Sequence, residues 1–177
     1  MPYEFGDNWI QIIDYYFFPA SVYPNKKIMV YEIEEINLLA APPEIKIKNE
    51  LIFISAKFKD ELEKFALKNN IKVEKRFDIW DSILEVFLDT EISENAKIKT
   101  FEELKQFGLD EETVKKWRER VKNPMIGYNF GTMLWDWVHL GQWDMLQAHL
   151  LFLKKFGKEK FEKLYWDSMK IALLAYP

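Results

Sequence analysis

A chain of 177 residues with 25 Lys or Arg against 29 Asp or Glu, hence a net charge of −4, suits one domain that buries roughly 70% of its unfolded surface. Aromatic residues at 16%, including seven Trp and fourteen Phe, exclude an intrinsically disordered chain. The absence of cysteine excludes disulfides, thiolate metal sites and cysteine nucleophiles.

The opening residues, Met1 to Asp7, lack the basic and apolar regions of a secretory signal, and no stretch approaches the ~20 apolar residues that span a bilayer. A soluble, cytoplasmic protein with no membrane partner is therefore expected. The abundance of Lys, Ile, Glu, Asn and Phe fits an AT-rich bacterial genome.

In chain order, Asp7 is placed to cap a helix carrying Trp9, Ile12, Ile13, Tyr16 and Phe17, which Pro19 ends. Lys27 to Ile33 alternates as a strand, while the continuation through Leu39 reads equally well as helical. The segments Glu44 to Lys48 and Leu51 to Ala56 flank a polar break at Asn49-Glu50 and predict a hairpin or two neighbouring strands. Lys59 to Lys68 reads as a helix and Ile71 to Arg76 as a further short strand.

From Asp78 the hydrophobic period becomes helical. Asp78 caps a helix whose apolar face carries Ile79, Trp80, Ile83, Leu84, Phe87 and Leu88, and Thr100-Phe101-Glu102-Glu103 reads as a capping box. Gly108, Pro124, Gly141 and Gly157 separate candidate helices near 100–107, 111–122, 128–140, 142–156 and 158–175. The expected fold is α+β: a small N-terminal sheet with covering helices, followed by a C-terminal helical bundle. One domain is expected over 1–177, mixed α/β over 1–98 and helical over 99–177.

Six carboxylates, Asp78, Asp81, Glu85, Asp89, Glu91 and Glu94, lie between Phe77 and Ala96 with no Lys or Arg among them. If one helix carries them, Asp78, Asp81, Glu85 and Asp89 form a single line, and like charges at that spacing repel. Such a face either keeps an aromatic-rich protein soluble or docks a basic partner. Calcium binding by Asp89, Glu91 and Glu94 is a third reading, but the segment lacks the Asp-x-Asp-x-Asp-Gly loop of an EF-hand. Residues 1–50 add a second acidic region, with eight Asp or Glu against four Lys. Two acidic surfaces make nucleic acid a poor partner.

Residues 100–122 resemble the helix-turn-helix unit of DNA-binding proteins, through Glu103-Leu104, Gly108-Leu109-Asp110, Val114 and Trp117. That resemblance implies a second helix presenting Lys115, Lys116, Arg118, Arg120 and Lys122 to phosphates. The segment departs from the pattern at Lys105 and Gln106, and Glu111, Glu112 and Glu119 would face the DNA backbone. A helical hairpin burying Phe101, Leu104, Phe107, Leu109, Val114, Trp117 and Val121 explains the same spacing.

Both histidines and several tryptophans crowd the last third of the chain: Trp135, Trp137, His139, Trp143, His149 and Trp166. Leu140-Gly141-Gln142-Trp143-Asp144, continued by Met145 to Lys155, resembles the helix turn of a tetratricopeptide-type hairpin, although one hairpin makes no solenoid. His149 shares a face with Met145, Phe152 and Phe156 and reads as a core histidine. Asp136 lies three residues before His139, close enough to raise its pKa and orient its ring for acid–base work. No nucleophile motif or phosphate-cradling glycine loop accompanies that pair.

The function expected from these features is non-enzymatic protein binding: an acidic surface docking on a basic protein partner, in concrete form a bacterial immunity or antitoxin protein holding a toxin. No cofactor and no metal are expected. The alternatives are an enzyme using Asp136 and His139 in a Trp-lined pocket, and DNA binding through 100–122.

Overall fold

Strand structure begins at the third residue, where Tyr3, Ile10, Ile12 and Ile28 turn inward at every second position of three short antiparallel strands. These are β1 (Tyr3–Phe5), β2 (Trp9–Ile12) and β3 (Lys26–Met29), in the order β1-β2-β3, with Ile10 opposite both Phe5 and Ile28. A second sheet, β4 (Glu35–Asn37), β5 (Glu44–Ile47) and β6 (Glu50–Phe53), runs antiparallel in the order β4-β5-β6. The computed structural model describes residues 2–88, 93–132 and 139–176. Its Cα positions group into two units, Met1–Phe77 with Glu162–Tyr176, and Asp78–Phe161.

The first unit holds both sheets and α1 (Lys59–Lys68). Phe17 packs edge-on against Phe53 and Tyr15, with ring centroids 5.9 and 6.0 Å apart, and lies 6.0 Å from Tyr165. The Phe53 backbone is held at both polar atoms, because its N–H donates to the Tyr15 hydroxyl and its carbonyl accepts from the Tyr3 hydroxyl, each at 3.0 Å. Both tyrosines are buried, and burial raises their pKa, so both hydroxyls stay protonated, Tyr3 as a donor and Tyr15 as an acceptor. Buried Glu35 is bound by Arg76 through two 2.5 Å contacts and by Lys72 at 2.9 Å. Burial works to raise its pKa, but those cations hold it below the usual carboxylate range.

The second unit is helical: α2 (Ile79–Leu84) with a 3-10 turn at Glu85–Phe87, α3 (Glu94–Gln106), α4 (Glu111–Thr132), α5 (Gln142–Leu151), α6 (Leu153–Phe156) and the start of α7 (Lys158–Ala172). Trp80 and Trp117 meet edge to face at 5.1 Å amid buried Ile83, Leu84, Leu104, Val114, Val121 and Met145. The α7 residues from Glu162 onward belong to the first unit. The fold is α+β, as the shift from strand to helical period predicts. No helix among the described residues is long and apolar enough to cross a membrane.

The structure corrects several local expectations. Residues 9–17 do not form a helix; Trp9–Ile12 is the central strand β2, its polar backbone groups paired on both sides, and Asp14 at φ 52° ends the extended run. Ile71 to Arg76 shrinks to one parallel bridge, Ile36 with Val73. The helix near 100–107 begins earlier, at Glu94, where the Ser93 hydroxyl accepts from Ala96 N at 3.2 Å. The break expected between 122 and 128 does not occur, because α4 continues through Pro124 to Thr132; residues 133–138 of the expected helix 128–140 lie outside the described residues. Buried Val121 and Met125 carry the apolar stripe across the proline, so tertiary packing overrides a strong local breaker.

Proline lacks the N–H that would bond the carbonyl four residues earlier, at a cost of roughly 3 kcal/mol relative to alanine in a helix interior. Pro124→Ala is therefore expected to raise the urea midpoint, with a gain of about 1–3 kcal/mol. An unchanged or lower midpoint would show that a kink at Pro124 is required by the packing of α4.

Candidate functional site

Asp78 is the N-cap of α2, and its Oδ1 accepts from Asp81 N at 3.0 Å. This cap leaves Oδ2 free to turn elsewhere, and it lies 3.3 Å from His139 Nε2. Asp81 Oδ1 lies 2.9 Å from His139 Nδ1. The imidazole thus has a carboxylate within ion-pair distance of each ring nitrogen, although the Asp78 contact at Nε2 lacks hydrogen-bond geometry. A neutral imidazole has one N–H and would turn its other lone pair toward an anion, whereas an imidazolium has a proton for each side. The Asp78 and Asp81 contacts accordingly raise the His139 pKa to about 10, against an opposing effect of burial.

Asp144 completes the cluster. It is 3% exposed in the first turn of α5, and its Oδ2 accepts from Gly141 N at 2.8 Å. Burial raises its pKa to about 6, while the Gly141 N–H and the His139 charge pull it down.

At the other end of α2, Arg118 reaches from α4. Its Nε donates to the Ile83 carbonyl at 2.9 Å and its Nη2 to the Ser82 carbonyl at 3.1 Å, and Nη2 also lies 3.2 Å from Glu85 Oε1. Cationic donors are favoured at a helix C-terminus, where carbonyls lack intrahelical partners. Glu85 Oε2 also accepts from the Thr100 hydroxyl at 2.9 Å. The thirteen-residue helix α3 thus uses Thr100 as a side-chain donor within its body.

The expected line of four carboxylates on one helix is corrected here. Regular α2 ends at Leu84, so it carries Asp78 and Asp81 at its start and Glu85 just past its end. Asp89 and Glu91 lie outside the described residues, as do Asp136, Trp135 and Trp137. Glu94 sits in the first turn of α3, exposed and 2.6 Å from Lys97. Among the described residues, His139 has Asp78 and Asp81 as its carboxylate partners. No group of three or more described acidic or histidine side chains is arranged to hold a metal ion, and at His139 the two carboxylates approach opposite ring nitrogens.

His149 behaves differently. It is fully buried, its Nδ1 lies 2.8 Å from the Met145 carbonyl, and its ring meets Phe156 edge-on at 4.9 Å. Burial lowers its pKa to about 4, so the ring is neutral with its proton on Nδ1. Trp143 and Trp166 fall in different units and do not line one site within either.

In the segment resembling a helix-turn-helix, Leu104, Leu109, Val114, Trp117 and Val121 are buried. Lys115 and Lys116 pair with Glu111 and Glu112 at 2.6 and 2.7 Å, Lys122 pairs with Glu119 at 3.2 Å, and Arg120 lies over Trp117. With Arg118 turned inward, the cations named for phosphate contact all have partners within the unit. Sequence reasoning named Arg118 only as a phosphate contact and missed Asp144 as a site residue. Asp144 carried a readable signal, an acid three residues after Gly141, while Arg118 carried none.

No protein-family model, curated protein or solved structure matches this chain.

Because the folded-state pKa of His139 is raised, its stabilisation is fully present below about 6.5 and is lost as pH rises toward about 10. The His139 ring proton signals are expected not to titrate between pH 6 and 8 in NMR spectra, whereas an unrestrained histidine titrates near 6.5. His139→Gln is expected to cost about 1–2 kcal/mol at neutral pH, after allowance for its partial exposure, and to flatten the decline in stability above neutrality. A His139 signal that titrates near 6.5 would refute the clamp.

Proposed function

We propose that this protein acts without catalysis, as an acidic docking protein for a basic protein partner. The residues proposed to meet the partner are Asp78, Asp81, Glu85 and Glu94, with Asp89 and Glu91 included from the sequence alone. The observation that carries the reading is the clamp at His139: it orders the Asp78 and Asp81 carboxylates while 36% and 43% of their side chains remain open to solvent. Carboxylates already held in place lose less freedom when a partner's arginine or lysine reaches them. Even with His139 charged and Arg118 bound to Glu85, three carboxylates face two cations around α2.

The same clamp speaks against acid–base catalysis by His139 near neutral pH, since an imidazolium with a carboxylate at each nitrogen has no lone pair to accept a proton. The partnered cations of α4 likewise favour a protein partner over DNA. In its most concrete form the reading is a cytoplasmic bacterial immunity or antitoxin protein that blocks a basic toxin. Charge complementarity would then set the association rate and make it fall with salt.

The test is affinity capture from host lysate at low and moderate salt, comparing wild type with Asp81→Asn/Glu94→Lys, after circular dichroism confirms that both are folded. A basic protein retained by wild type, released by salt and depleted about tenfold or more in the variant is the expected result. Recovery of the same proteins by both, or of none by either, would refute acidic docking.

A further inference from the structure

The hairpin joining β5 to β6 borders a cavity of about 290 Å³ in the first unit, lined in part by Ser21, Lys26, Glu32, Lys48, Glu50 and Trp166. That volume lies at the lower end of the range for small-molecule sites.

Glu50, the first residue of β6, is 3% exposed. Its Oε1 accepts from the Tyr165 hydroxyl at 2.7 Å and from Ser21 N at 3.1 Å, while among the described residues Oε2 has only the same Ser21 N–H, at 3.3 Å. A carboxylate offers about four acceptor positions, and here one hydroxyl and one shared amide occupy part of that capacity. A buried anion is costly unless a cation or further donors meet it. Among the described residues, no lysine or arginine lies within ion-pair distance of Glu50.

Lys48 presents the opposite case on the same lining. It is exposed at the hairpin turn with φ 47°, and among the described residues it has no carboxylate partner. Lys26 and Glu32 pair with each other at 3.6 Å. One anion and one cation are therefore left on the lining, not within ion-pair distance of each other. A free anion would leave Glu50 unmatched and a simple cation would leave Lys48 unmatched. A neutral polyol would compensate neither charge. Trp166, half-buried on the lining, adds an aromatic surface of the kind that attracts ammonium groups.

We propose that this cavity binds a small zwitterion of free α-amino-acid size, its ammonium group against Glu50 and Trp166 and its carboxylate against Lys48. The site uses none of the α2 residues, so its test is independent of acidic docking.

Isothermal titration with the individual free L-amino acids, at millimolar ligand, tests the proposal. At least one is expected to bind. Its decarboxylated amine and its N-acetyl derivative, each lacking one charge, are expected to bind about tenfold or more weakly. Lys48→Asn removes the cation while keeping a residue that tolerates positive φ, so it should weaken binding by about tenfold with the melting temperature unchanged. Glu50→Gln preserves an acceptor for Tyr165 and should abolish preference for the parent amino acid over its N-acetyl derivative. If Glu50→Gln does not fold, Lys48→Asn decides the matter alone. Binding by no amino acid, equal binding of either single-charge control, or undiminished binding by Lys48→Asn would overturn the proposal.

Discussion

Charge on α2 has to be balanced from outside α2. The helix has six residues, an aspartate at its cap, another in its first turn and a glutamate just past its end, with no basic residue of its own. A helix that short is not stable alone in water. Its carboxylates at the N-terminal end agree with the helix dipole, but they also repel each other, and its last carbonyls need donors. His139 meets the first need and Arg118 the second, so both ends of α2 depend on side chains from elsewhere in the unit. The apolar face of α2, with Ile79, Trp80, Ile83 and Leu84 all buried, secures the helix against Trp117 and its neighbours.

The first unit handles buried polarity in two ways. Glu35 has two cations at hydrogen-bond distance and stays ionised within its own ion-pair network. Glu50, equally buried, has a tyrosine hydroxyl and a backbone amide. The contrast arises from the surroundings of each strand: Arg76 and Lys72 lie beside β4, whereas Tyr165 and Ser21 reach Glu50. Two carboxylates of one type therefore have different capacities left for a further partner, and that difference distinguishes a structural ion pair from a place where a ligand's charge can act.

Much of the architecture was legible because it is written in local patterns. The β5–β6 hairpin and α1 follow from alternation and helical spacing around turn residues, and Asp78 announces the start of α2 by the chemistry of capping. The misreadings share one cause. Residues 9–12 have apolar spacing compatible with either period, and the choice for strand depends on partners at residues 3–5 and 26–29. Pro124 is a breaker by intrinsic preference, yet the helix continues because the residues on either side are buried. At the site, the pairing of Asp136 with His139 was inferred from sequence separation alone. The described partners, Asp78 and Asp81, precede the histidine by about sixty residues, a distance over which spacing says nothing about contact.

By itself the sequence determined the α+β class, the segregation of strands before helices, the acidic concentration after Phe77 and the lack of cysteine chemistry, because composition and hydrophobic period are properties of a chain before it folds. Tertiary structure alone decided which charges meet. It set the protonation of His139 between two aspartates, turned Arg118 inward, kept His149 neutral in the core and left Glu50 and Lys48 apart on one cavity. Electrostatic energies depend on distance and burial in three dimensions, and neither is encoded by position along the chain.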